Sequence, residues 1–145
     1  MRRGLMIGAA AFAAVALAAT PVLAANPHWI GTPTKSVSGN TLTVSFKAAG
    51  LGNVPTANFT LSATATTFSR CYTKSNNKPQ AANKRETSNL STTQTFPVRN
   101  GQTTGRMTLT APPSTLECPR GQRVVVESVS FSIVSISGMG LNYNF

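Results

Sequence analysis

From Phe59 onward the chain places an apolar or small residue at every second position: Phe59, Leu61, Ala63 and Ala65. The alternation holds in step through Thr67 and Ser69 to Cys71. A period of two is the signature of an extended strand, whose successive side chains point to opposite faces of a sheet. One face of this segment is therefore buried, and Cys71 sits on that face or at its end. Leu42, Val44 and Phe46 repeat the pattern against Thr41, Thr43, Ser45 and Lys47, as expected of a half-buried strand. Turn residues at 37–40 precede it, so residues 35–37 should pair back as a short first strand. No internal repeat, heptad or long amphipathic stretch at helical spacing competes with this reading.

Asn100-Gly101 is the most specific turn signal, because both residues readily adopt positive φ and suit a type I′ hairpin. A two-residue loop there pairs Phe96 with Gly105, Gln94 with Met107, Thr92 with Leu109 and Leu90 with Ala111, which puts the apolar residues on one face. Pro97 then belongs to an edge strand, where no ladder hydrogen bond is donated. The most β-prone run, residues 123–137, changes phase twice. Val124 and Val126 share a face, Val129, Phe131 and Ile133 take the other, and Val134 and Ile136 return. Either a bulge bends one long strand or two strands meet. Leu141, Tyr143 and Phe145 alternate in a last short strand. The expected fold is all-β: one small sandwich, immunoglobulin-like or similar, of seven to eight short antiparallel strands, with a small barrel as the alternative.

Arg2 and Arg3 precede an alanine-rich apolar run over residues 5–19, followed by Pro21 and the small residues Val22, Ala24 and Ala25. That order is a secretory signal peptide. Cleavage is expected after Ala24, which divides the chain into a leader, 1–24, and a secreted domain, 25–145. The apolar run is shorter than the roughly 20 residues that span a bilayer. The paired arginines leave open the twin-arginine route beside general export.

Loss of Arg2 and Arg3 leaves eleven basic residues against three glutamates and no aspartate. Cys71 and Cys118 are the only cysteines. In an exported protein an even count implies pairing, and one intramolecular pair is available. Closing that loop stabilises the fold by about 4 kcal/mol on the chain-entropy account.

Catalytic inventory is thin. His28 is the sole histidine, and without aspartate no Ser/His/Asp triad can form. Both cysteines are better used as a disulfide than as zinc ligands, and no carboxylate cluster suits calcium, so no metal or cofactor is expected. Small basic secreted ribonucleases manage with one histidine, one glutamate and an arginine. His28, Glu127 and Arg123 are therefore the leading enzymatic alternative. Against it, His28 and Trp29 need only anchor the N-terminal segment.

Gly50-Leu51-Gly52-Asn53, Cys71, Pro79-Gln80-Ala81-Ala82-Asn83-Lys84 and Cys118-Pro119-Arg120-Gly121-Gln122 resemble a group of small, functionally uncharacterised secreted proteins of actinobacterial type. The likeness covers roughly residues 40–137. It implies export and paired cysteines, and no activity.

What remains is charge. Residues 73–86 read as a long exposed loop carrying Lys74, Lys78, Lys84 and Arg85, with Arg70 just before it. Arg120 and Arg123 follow Cys118 closely. A Cys71–Cys118 bond brings these seven cations to one end of the domain, with Tyr72 as the only ring expected beside them. The expectation is a secreted, non-enzymatic binding protein that engages polyanions: wall polymer, acidic polysaccharide, nucleic acid or an anionic lipid surface. The competing structural reading is a stable secreted domain with no dedicated ligand.

Overall fold

The computed structural model describes residues 25–145; the expected leader and its cleavage point after Ala24 lie outside the described residues. Among the described residues eight antiparallel strands form two sheets. They are β1 (His28–Trp29), β2 (Thr34–Ser38), β3 (Thr41–Ala49), β4 (Thr56–Thr73), β5 (Pro79–Pro97), β6 (Thr103–Thr110), β7 (Gln122–Gly138) and β8 (Leu141–Asn144). In the first sheet β3 is central. One edge pairs with β6, and the other pairs with β2 and, further along, with β1. The second sheet runs β5-β4-β7-β8. Lettered in the immunoglobulin manner from β2, the strands read A, B and E against C′, C, F and G, a sandwich topology of that type.

The alternation at Leu42, Val44 and Phe46 and at Phe59, Leu61 and Ala63 does what it predicts: these side chains are buried between the sheets. Phe46, Phe59 and Phe96 form the aromatic centre, with ring centroids 4.6 and 5.3 Å from Phe46 to the other two, and Trp29 closes it at 5.8 Å. His28 and Trp29 anchor the N-terminal segment in this way through β1.

The hairpin expectation needs correction. Asn100 (φ 52°) and Gly101 (φ 72°) do take the left-handed conformations of a type I′ turn, bridged by Arg99 and Gln102. Beyond that bridge the strands part. β5 stays on β4, and β6 crosses to β3, so both apolar sets still reach the core, from opposite sheets. Phe96 and Gly105 consequently meet across the sandwich: a Cβ added at Gly105 would lie 3.0 Å from the Phe96 ring and 2.3 Å from Phe46. Pro97 ends β5, which is an edge strand as expected.

The strands are also not uniformly short. β4, β5 and β7 run 18, 19 and 17 residues, against nine and eight in β3 and β6. The phase slips are bulges in one continuous β7. Glu127 is extra between Val126 and Ser128, and Ile133 and Val134 fall between Ser132 and Ser135. Each bulge resets the alternation. Val124, Val126, Val129, Phe131 and Ile136 all register with inward residues of β4, Val125 lies outward opposite Arg70, and Ile133 is left outside at its bulge, 82% exposed at φ 51°.

Because the second sheet is about twice as long as the first, its far half overhangs. Residues 112–119, without regular structure, cross the inner face of that overhang and are fastened to it by the disulfide. The loop expected at 73–86 is instead a strand end. β4 continues to Thr73, residues 74–78 make a tight turn, and β5 starts at Pro79, because β4 offers its edge as a pairing partner all the way to Tyr72.

Candidate functional site

Cys71 and Cys118 are bonded, with Cα atoms 5.6 Å apart. Cys71 is fully buried at the end of the inward row of β4. A second tie lies beside it. The Glu86 carboxylate, inward on β5, accepts hydrogen bonds from the Thr115 hydroxyl, from the Thr115 backbone N–H at 2.9 Å and from the Ser114 hydroxyl at 3.0 Å. These bonds, the Thr115 hydroxyl first, hold its pKa down to about 2. Lys84, next inward on β5, stands 3.7 Å from Glu86 and donates to the Thr115 hydroxyl at 2.6 Å.

Two turns complete this end. The Lys74 N–H donates to the Gly121 carbonyl at 3.0 Å, which joins the β4–β5 turn to the turn carrying Arg120. The Arg123 guanidinium donates to the Asn77 side-chain oxygen across the same junction. Arg70, Lys74, Lys78, Lys84, Arg85, Arg120 and Arg123 thus all lie at the disulfide end of the second sheet, on three different aspects. Arg70, Arg85 and Arg123 are on the outer face, Lys84 is on the inner face under the 112–119 segment, and the other three are in the turns. Lys35, Lys47, Arg99 and Arg106 lie on or beside the first sheet and the opposite turn.

On the outer face the arginines are organised by a ring that the sequence reading left out. Phe68 is directly opposite Arg85 on β5, and the Arg85 and Arg70 guanidiniums sit 5.4 and 5.6 Å from its centroid, a cation–π arrangement. Alternation was the available signal, since Phe68 is out of step with the buried row and so had to face outward beside Arg70. Glu127, displaced outward by its bulge, accepts a 2.6 Å hydrogen bond from the Tyr72 hydroxyl and lies 3.5 Å from Arg70. That hydrogen bond, and then burial, raise the Tyr72 pKa above its usual value. All three glutamates therefore belong to this end, and two of them are engaged with Arg70 and Lys84.

His28 does not join Glu127 and Arg123. It pairs with Ala49 at the end of the sandwich where β4 begins, whereas Arg123 pairs with Tyr72, roughly 50 Å of strand away. Among the described residues no three His, Cys, Asp or Glu side chains are grouped to hold a metal ion. The molecule is thus an all-β sandwich with one end cross-tied and cationic. No family model, curated protein or solved structure matches the chain.

Proposed function

We propose that this is an exported, non-enzymatic binding protein that uses its disulfide end to engage polyanions. The observation that carries the reading is the distribution of charge. Seven of the eleven basic residues outside the leader gather at one end against three glutamates, two of which engage Arg70 and Lys84. Arg85 is held against Phe68, and the Arg123 guanidinium donates to Asn77, so part of the ordering cost of binding is met before a ligand arrives. A disulfide between the only two cysteines suits an oxidising compartment and supports export.

The test is binding of the 25–145 protein to polyanions across salt. If four phosphates of duplex DNA are neutralised, log affinity falls against log salt with a slope of about −3.6. Replacing Lys74, Lys78, Arg85 and Arg120 by glutamine should flatten that slope, and replacing Lys35, Lys47, Arg99 and Arg106 should barely move it. Equal effects from the two sets would refute a localised site.

A further inference from the structure

The outer face of the second sheet carries more than the arginines. Every outward residue in register from Asn58 to Thr66 on β4, Thr87 to Thr95 on β5 and Ser128 to Ser137 on β7 is serine, threonine or asparagine. Asn142 and Asn144 continue the field onto β8. No charged group interrupts it, and the only apolar intrusion is Ile133 at its bulge.

Folding does not require this composition. Serine is a mediocre strand former, yet β7 uses it at all five registered outward positions from 128 to 137 while its inward positions are valine, phenylalanine and isoleucine. Soluble surfaces are commonly a quarter or more charged, so solubility does not require it either. Cross-strand pairs tie part of the field down: Thr60 to Thr93 at 2.8 Å, Thr64 to Asn89 at 3.1 Å and Thr95 to Asn58 at 2.6 Å. A hydroxyl offers one donor and two acceptor sites, so each paired group keeps capacity toward solvent. The short side chains leave a low surface on which an extended polymer can lie close to the sheet. At one end the field runs directly into Phe68, Arg85 and Arg70.

We infer that the outer face is a track for a linear acidic polysaccharide, with its carboxylates at Arg85 and the turn lysines and its sugar hydroxyls on the Ser/Thr/Asn field. This rests on the polyanion reading and names the ligand class within it. Charge complementarity selects an anion at the arginine end. The hydroxyl and amide groups of the field select a polymer that carries hydroxyls beside its charge, which a chain of bare phosphates lacks. Nucleic acid would want rings free to stack, and Phe68 is occupied by two guanidiniums.

The experiment compares polygalacturonate, inorganic polyphosphate and neutral dextran as probes, using wild type, Thr66→Val/Thr87→Val/Ser130→Ala, and Lys78→Gln/Arg85→Gln. Thr→Val keeps shape and strand propensity, and circular dichroism and the urea midpoint check folding. The hydroxyl variant should lose at least about fivefold in polygalacturonate affinity and change polyphosphate affinity by less than about twofold, the scale of one or two hydrogen bonds. The charge variant should weaken both. If the hydroxyl variant leaves polygalacturonate binding unchanged, or weakens both polyanions equally, the track is refuted and the polyanion reading stands. Dextran binding as tight as polygalacturonate, or a wild-type dimer in sedimentation that the hydroxyl variant dissolves, would also overturn the track. If neither polyanion binds wild type, the polyanion reading falls with it.

Discussion

Reducing the disulfide should remove about 4 kcal/mol of stability, worked from the 47-residue separation of its cysteines. The closed loop holds all of β5, β6 and residues 112–118. Opening it therefore releases an unfolded chain that must find a cross-sheet arrangement with few local contacts to guide it. Reduction of wild type isolates the loop term, because both sulfurs stay in place. Cys71→Ala/Cys118→Ala should cost somewhat more, since Cys71 is fully buried and its sulfur is lost from packing. Equilibrium urea unfolding at pH 7 with and without reductant is the assay. For a slope near 2 kcal/mol/M the midpoint should fall by roughly 2 M. Hydrogen exchange should also quicken first at Leu116, near the severed tie, and later at Thr115, whose N–H remains on Glu86. A reduced midpoint within about 0.5 M of the oxidised one would show that loop closure contributes little here.

Gly105→Ala should destabilise by roughly 1–3 kcal/mol by overpacking, because its Cβ would lie 2.3 Å from Phe46; a stability loss below that range in urea unfolding would mean the ring yields freely. Glu86, depressed to about 2, should contribute stability that is fully present above its ordinary value of 4.5 and fades as pH falls toward 2. Glu86→Gln should therefore show a shallower loss of urea midpoint over that window than wild type. Ile133→Asn should stabilise by about 1 kcal/mol, since a β-branched residue is held at φ 51° with its side chain 82% exposed; a loss of stability would show that Ile133 packs on something.

Period-two patterning was legible because burial on one face leaves a direct trace in residue type. Leu42, Val44 and Phe46, and the row from Phe59 to Cys71, are buried as their alternation requires. What patterning does not encode is the neighbour. The register test at Asn100-Gly101 was satisfied by apolar residues that share an interior, and two strands on opposite sides of one core satisfy it equally well. β5 and β6 meet that condition while pairing with β4 and β3. The slips in β7 were ambiguous for a related reason. A bulge and a strand break leave the same mark in sequence, and only the unbroken pairing with β4 separates them.

At the candidate site the cysteines carried most of the information, because one bond between distant segments fixes where their flanking cations must go. Residues 73–86 read in sequence as one long loop because Asn, Pro and Lys are poor strand formers. Pairing with a long neighbour outweighs that preference at an edge, where Pro79 need donate no ladder hydrogen bond. The outer face was hidden differently. Reading a strand for its core discards the other half of its residues, and here the discarded half holds Phe68 and the hydroxyl field. Their meaning emerges only when β4, β5 and β7 are laid side by side, which sets Phe68 against Arg85 and Thr66 against both Thr87 and Ser130. A surface made from every second residue of three strands has no contiguous motif. Its recognition by sequence alone would require the strand order that the sequence conceals.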